Sequence, residues 1–83
     1  MVILLCYDVV EDRRRTRLHN HLRQWLEPVQ KSVFEGRIRP DRLGELLSLV
    51  EGIIDHDTDS VRIYPLCAGC RPLTHHIGVA EPV

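Results

Sequence analysis

The chain has 83 residues, of which 43% are hydrophobic and 28% charged, and its formal net charge is −1. This length supports a single domain, and the composition is that of a folded protein rather than a disordered one. No apolar run approaches the ~20 residues that a membrane-spanning helix needs. The apolar start also lacks the basic region and cleavage site of a signal peptide, so we expect a cytoplasmic protein with no membrane partner.

The first half of the chain begins with a strand and a helix. Residues 2–8 are apolar on both faces and β-branched at their start, which predicts a strand. The helix that follows has Asp12 as its N-cap and ends before Pro28. Its apolar residues share one stripe, with spacing i, i+4, i+7 and i+8: Leu18, Leu22, Trp25 and Leu26.

The alternation of residues 29–38 predicts two strands, divided near Ser32. A second helix then starts at Pro40, which is tolerated in a first turn. Its apolar stripe consists of Leu43, Leu46, Leu47, Val50, Ile53 and Ile54. A polar turn over residues 55–59 leads to a strand over residues 60–66, in which Pro65 requires a strand end or edge. We expect residues 67–72 to form a turn and residues 74–79 a last short strand.

This order of elements predicts an α+β fold, the ferredoxin-like βαββαβ plan with an extra C-terminal strand. Residues 1–83 form one domain, with a core over about residues 1–66. Both helices lie on one face of the sheet, yet the first strand is apolar on both faces. Because a second subunit would cover the other face, we expect a homodimer.

Asp8 ends the first strand and is the first candidate for chemistry. Together with Glu11 and Asp12 it forms a group of carboxylates that could hold a hard cation such as Mg²⁺. The alternative is that Asp8 is a solvated strand-end residue and that the other two are ordinary helix caps.

A run of arginines is the second candidate, consisting of Arg13, Arg14, Arg15 and Arg17. Arginine binds phosphate in a bidentate manner, whereas a helix N-terminus disfavours cations, so this placement favours nucleic-acid binding over a solvated face. Residues 13–39 carry eight Lys or Arg and two Glu, whereas residues 41–59 carry one Arg and six acids. The charge distribution alone leaves open a phosphate-bearing partner or two solvated helix faces.

Other polar and aromatic residues carry weaker signals. Cys67 and Cys70 could supply half of a zinc site or a redox pair, although a structural turn is the interpretation that their context favours. The histidines at positions 19, 21 and 56 are expected at the surface. Tyr7 and Phe34 could stack on bases, but their strands favour burial.

Three segments together resemble one protein family. They are YDV-ED-RRRTRL at the start, VQKSVFEG in the middle and DSVRIYPL near the end of the core. In this order they are similar to the small ferredoxin-fold nuclease of CRISPR adaptation, the second of the two universal adaptation proteins. The match extends from Met1 to about Cys70, and a CxxC after the last core strand is also familiar in this family.

The resemblance implies a homodimer in which Asp8 of each subunit faces the dimer axis and binds Mg²⁺, with Mn²⁺ as a substitute. Each C-terminal strand would pair with the partner's sheet. Arg14, Arg15 and Arg17 would bind nucleic acid, either duplex DNA or single-stranded RNA. Tyr7 and Phe34, like Arg15 and Arg17, match family positions linked to activity, whereas this chain has Pro28 where one family member has an arginine.

Three functions follow as hypotheses. The first is a metal-dependent endonuclease or endoribonuclease that bridges dimers of the CRISPR integrase and carries spacer precursor DNA. The second is a non-catalytic DNA-binding scaffold of the same complex. The third, independent of the family, is a ferredoxin-like regulatory or ligand-binding dimer.

Overall fold

The computed structural model describes residues 1–66, which form a four-stranded antiparallel sheet with two helices packed on one face. The elements in chain order are β1 (Val2–Asp8), α1 (Asp12–Leu22), β2 (Glu27–Gln30), β3 (Val33–Arg37), α2 (Leu43–Ile53) and β4 (Ser60–Leu66). The strand order is β2-β3-β1-β4. The predicted ferredoxin-like plan is confirmed. The Cys67/Cys70 pair and the strand predicted over residues 74–79 lie outside the described residues.

The predicted strands agree closely with the observed ones. β1 and β4 have the predicted bounds, and the segment over residues 29–38 is divided at Ser32, although β2 already begins at Glu27. Ser32 has φ 70°, in the left-handed region that non-glycine residues enter at a cost. Its carbonyl accepts a hydrogen bond from the Tyr7 N–H at 3.0 Å, so this turn is tied to the end of β1.

The core lies between the sheet and the helices. Its fully buried side chains come from β1, β3 and both helices: Ile3, Leu5, Leu18, Leu22, Phe34 and Leu46. Burial of this kind contributes ~25 cal/mol per Å² of apolar surface removed from water, and it fixes the position of β1 in the middle of the sheet.

The first helix is shorter than predicted. It ends at Leu22, and its N-cap is Glu11 rather than Asp12, since the Glu11 carboxylate accepts a hydrogen bond from the Arg14 N–H at 3.0 Å. Trp25 lies beyond the helix end, because the chain must turn into β2 at Glu27. Its half-buried ring packs against the core.

The second helix departs from the prediction at its start and in its apolar stripe. Pro40–Arg42 form one turn of 3-10 helix, and the α-helix begins at Leu43 rather than at Pro40. Leu47 belongs to the predicted apolar stripe but is 41% exposed, whereas Leu49 packs against the core. The core contacts only part of a broad apolar stripe, so Leu47 faces outward. In the part of the chain that the structure describes, no helix has the length and apolar character to cross a membrane.

The sheet face opposite the helices, called the open face below, has an apolar centre and a polar margin. Val2, Cys6 and Val33 are buried there. Their neighbours in register are more exposed: Val2 pairs with Arg37, and Cys6 pairs with Arg62. An apolar centre inside a polar rim is typical of a protein interface, so this face has the composition that a subunit contact requires.

Candidate functional site

Asp8 occupies the last position of β1, where the β1–β4 ladder ends in the pair Asp8–Ser60. The two-residue period of the strand places Asp8 on the open face with Cys6. Its carboxylate is exposed and makes no hydrogen bond or ion pair with another residue between positions 1 and 66. Within residues 1–66, the site therefore presents an unpaired carboxylate fixed at the end of a buried strand.

The main chain directly after Asp8 is held by side chains rather than by the sheet. Val9 is buried in the core, while Val10 is 63% exposed. The Val10 N–H donates to the Asp59 carboxylate at 3.0 Å. The Arg15 guanidinium donates to the carbonyls of Val9 at 3.1 Å and Val10 at 3.3 Å. The loop between β1 and α1 is thus fixed on both its N–H and its C=O groups.

Asp59 is the most deeply buried charged group among the described residues, with a side chain that is 0% exposed. Arg14 Nε donates to it at 2.7 Å and Arg14 Nη2 at 3.3 Å. The Asp55 N–H donates at 2.8 Å and the Thr58 hydroxyl at 3.1 Å. These donors, the Arg14 guanidinium above all, hold the pKa of the Asp59 carboxyl far below its usual range, against the opposing effect of burial.

The structure separates the four arginines of the run into two pairs. Arg14 and Arg15 are half-buried and engaged within the chain, Arg14 with Asp59 and Arg15 with the loop carbonyls and Asp12. Arg13 and Arg17 are exposed and make no ion pair or hydrogen bond with another residue of the described part. Of the arginines predicted to contact nucleic acid, Arg17 is free to do so in this conformation.

A shallow depression of about 500 Å³ runs along the outer side of α1. It is lined by Asp12, Arg13, Thr16, Arg17, Asn20 and His21. Two exposed guanidinium groups and short polar side chains make this surface suitable for phosphate contacts, because such groups position a nucleic-acid backbone without reading its bases.

Tyr7 and Phe34 lie in the core, where they are 8% and 0% exposed. The burial that their strands favoured is confirmed, and neither ring can stack on a base from this position. The Tyr7 hydroxyl lies 3.4 Å from His19 Nδ1, and the His19 and Phe34 ring centroids are 5.0 Å apart. Burial raises the pKa of the Tyr7 phenol, an effect that Arg15 and a hydrogen bond with Ser32 oppose. Tyr7 is therefore protonated at neutral pH.

Glu11 and Asp12 do not join Asp8 in a metal cluster. Glu11 caps α1 and lies 3.6 Å from Arg14, and Asp12 pairs with Arg15. Within residues 1–66 no three carboxylate, histidine or cysteine side chains come together in a way that could hold a metal ion. The group of three carboxylates that the sequence suggested is therefore not formed in this part of the chain, because local arginines neutralise two of them.

The sequence prediction missed two residues of this region. Asp59 was assigned to a polar turn, although an aspartate directly before a strand that pairs with β1 must lie near the end of β1. His19 was expected at the surface but is half-buried against Tyr7 and Phe34. His19 follows Leu18 directly and lies at the margin of the apolar stripe, and this position could have indicated its partial burial.

These features define a ferredoxin-like α+β domain with an exposed carboxylate at the end of its first strand and exposed arginines on the helix that follows. The family model for CRISPR associated protein Cas2 matches residues 1–72, and the chain belongs to this family. The family assignment removes the hypothesis of an unrelated regulatory module.

Similar proteins support this assignment. CRISPR-associated endoribonuclease Cas2 2 of Methanospirillum hungatei JF-1 is 35% identical over 80 residues, covering 96% of this chain and 89% of that protein. The crystal structure of Streptococcus pyogenes Cas2 at pH 6.5 has a TM-score of 0.84 at 28% identity and covers 94% of this chain and 100% of that one. A chain of a partial Cas6-RT-Cas1–Cas2 complex has a TM-score of 0.79 at 31% identity, covering 92% of this chain and 83% of that one.

Proposed function

We propose that this protein is a cytoplasmic nuclease of CRISPR adaptation, in which Asp8 is the catalytic carboxylate and works with Mg²⁺, or with Mn²⁺ in its place. The observation that carries the proposal is the exposed carboxylate of Asp8 at the end of a buried strand, which has no side-chain partner within residues 1–66. The helix that follows exposes Arg13 and Arg17. A relative named as an endoribonuclease supports the activity.

The donor chemistry at Asp8 fits a hard cation. Mg²⁺ binds through one or two carboxylates and keeps several waters, whereas zinc requires a fuller set of His and Cys ligands. Such a set is missing from residues 1–66. One Asp8 from each subunit of a homodimer would supply the two carboxylates. Mg²⁺, when bound, would act as a Lewis acid on the scissile phosphate and lower the pKa of a coordinated water.

The chain's own residues would hold and orient the substrate. Arg17, with Arg13 beside it on the outer side of α1, would bind phosphates of the backbone. Arg15 would act indirectly, because its guanidinium is already bound to the carbonyls that follow Asp8. The protonated Tyr7 is unsuited to act as a general base and supports the end of β1 from within the core.

The open face is the surface proposed for the homodimer. Its apolar centre of Val2, Cys6 and Val33 and its rim containing Arg62 and Tyr64 have the composition of an interface. Asp8 lies on this same face, so a symmetric contact across it would bring two copies of Asp8 toward one axis. The predicted exchange of the strand over residues 74–79 would extend this contact.

A second candidate function is a DNA-binding scaffold that does not cleave and bridges dimers of the CRISPR integrase. The similarity to a chain of a Cas6-RT-Cas1–Cas2 complex favours it, since that protein is part of a larger assembly. In this role the basic outer side of α1 binds duplex DNA, and Asp8 does not take part in catalysis.

Cleavage assays with purified protein separate the two functions. Labelled single-stranded RNA and duplex DNA are incubated with Mg²⁺, with Mn²⁺ and with a chelator. The nuclease proposal expects products in either metal and none with the chelator. Intact substrates in all three conditions, together with duplex binding that weakens steeply with salt, would favour the scaffold.

A further inference from the structure

We infer that Asp59 is a positioning residue for Asp8, acting through the main chain of Val9 and Val10 that follows the catalytic carboxylate. The inference deepens the proposed function and rests on it for its cleavage readout. Within residues 1–66 no hydrogen bond or ion pair joins Asp59 to Asp8, so its effect would pass through the loop between β1 and α1.

Asp59 joins three separate parts of the fold. Its Oδ1 accepts from the Val10 N–H at 3.0 Å and the Thr58 hydroxyl at 3.1 Å. Its Oδ2 accepts from Arg14 Nε at 2.7 Å and the Asp55 N–H at 2.8 Å. The loop after β1, the first turns of α1 and the turn before β4 therefore meet on one carboxylate that is 0% exposed.

The hydrogen bond to Val10 matters because the sheet ends two residues earlier, at Asp8. The β1–β4 ladder stops at the pair Asp8–Ser60, so the residues after Asp8 have no strand partner on that side. Asp59 holds the Val10 N–H, and Arg15 holds the carbonyls of Val9 and Val10. Two side chains thus replace the sheet in fixing the direction in which β1 presents Asp8.

An amide cannot replace this carboxylate. All the groups directed at Asp59 are donors, and an asparagine has one acceptor oxygen and one NH₂ donor. In Asp59→Asn, the NH₂ replaces one of the two oxygens, so it must face either the Val10 N–H or Arg14 and the Asp55 N–H. An unsatisfied buried donor is costly, so the loop is expected to move away and release both Val10 and Arg14.

Release of Arg14 would change nucleic-acid affinity in a different direction from a general loss of stability. In the folded protein Arg14 is held on Asp59, within one helical turn of the exposed Arg13 and Arg17. A freed Arg14 can reach phosphate, so binding of nucleic acid should stay constant or tighten while cleavage falls. A change that only weakened the fold would lower both.

The test compares Asp59→Asn with Ile38→Ala, a buried control at the opposite end of β1, where the Ile38 N–H donates to the Met1 carbonyl. Arg14→Lys, which keeps the charge but removes the two-pronged hydrogen bond, serves if Asp59→Asn folds poorly. Three quantities are measured: hydrogen exchange of the Val10 amide, affinity for labelled RNA and duplex DNA, and single-turnover cleavage with Mn²⁺ or Mg²⁺.

We expect Val10 exchange to rise and cleavage to fall, each by roughly tenfold or more, as when a residue that orients a metal-binding group is removed. Affinity should not weaken. Parallel decreases of cleavage and affinity like those of Ile38→Ala, or unchanged Val10 exchange, would overturn the inference. If the wild type does not cleave at all, the proposed nuclease function fails. Val10 exchange and the conformational averaging of the Asp8 NMR signals then decide the positioning role, since neither needs a metal.

Discussion

The Nε atom of Arg15 lies 3.1 Å from the carbonyl oxygen of Val9. One of the arginines predicted to bind phosphate is therefore bound to the main chain directly after Asp8. Arg14 is engaged in the same way by Asp59, and Arg17 is left exposed. Neighbouring arginines thus make different contacts. This follows from the helix, because consecutive side chains point about 100° apart.

Replacement of Arg17 and of Arg14 should have different effects. Arg17→Gln is expected to weaken duplex binding for all sequences and to lower the salt slope by roughly 0.9 for each phosphate that the protein no longer neutralises. Arg14→Gln should lower the melting temperature while the salt slope stays unchanged. Fluorescence anisotropy titrations at several salt concentrations measure both slopes. A normal slope in Arg17→Gln would move the binding surface elsewhere, to Arg37 and Arg39 first.

The pKa of Asp59 gives the stability a defined pH dependence. Its pKa in the folded state lies below the value of about 3.9 for an unfolded aspartate, so the charged form favours the fold. This stabilisation is complete above about pH 5 and is lost progressively as the pH falls below about 4. Asp59→Asn should therefore melt well below the wild type at neutral pH, and the gap should narrow in acid.

Thermal unfolding followed by circular dichroism between neutral and acidic pH measures that gap. Asp57→Asn is the matched control, because it removes the same charge from the same turn and its exposed carboxylate accepts no bond from the described residues. A gap that stays constant across the pH range would show that the charge of Asp59 does not stabilise the fold.

Phe34 is expected to act through packing. It is fully buried against Tyr7 and His19, so Phe34→Ala should lower the free energy of unfolding by about 3–5 kcal/mol. Phe34→Leu, which retains most of the volume, should fold and bind RNA as the wild type does. Urea denaturation and RNA titration test the pair. Failure of a stable Phe34→Leu protein to bind RNA would restore a role in base stacking.

The homodimer is predicted to depend on the open face. Leu4 lies on that face between Val2 and Cys6 and is half-buried, so Leu4→Lys should shift the protein from two chains to one. Leu47→Lys introduces the same charge on α2, where Leu47 is already exposed, and should leave the dimer intact. Light scattering at low micromolar concentration distinguishes the two masses. A wild-type protein that is stable as a monomer would contradict the prediction.

The elements of the fold were predictable because their signals are local. The apolar run of β1, the alternation of β4 and the turn at Ser32 each follow from a few neighbouring residues. Helix ends were less predictable. α1 stops at Leu22 because the chain has to turn into β2, but the apolar pattern continues to Leu26 and gives no sign of this turn.

The candidate site was predictable only in part. Asp8 can be recognised from the sequence because it is a charged residue at the end of an otherwise apolar strand. The engagement of Arg14 depends on Asp59, 45 positions away along the chain, and the two are adjacent only because β4 pairs with β1. Whether an arginine is free or occupied is therefore a property of the tertiary structure, and the charge count along the sequence does not reveal it.

Metal-dependent cleavage is proposed to depend on the Asp8 carboxylate, which Asp8→Asn removes. The variant keeps the shape of an exposed side chain and removes one negative charge from each subunit. Glu11→Gln is the control, because glutamine can still accept the hydrogen bond from the Arg14 N–H that caps α1.

The measurement is the rate of Mg²⁺-dependent cleavage by the purified protein at saturating nucleic acid. We expect the rate to fall about a hundredfold or more in Asp8→Asn, with dimer mass and binding affinity unchanged, and to stay near wild type in Glu11→Gln. Cleavage by Asp8→Asn at the wild-type rate would show that Asp8 is not the catalytic carboxylate.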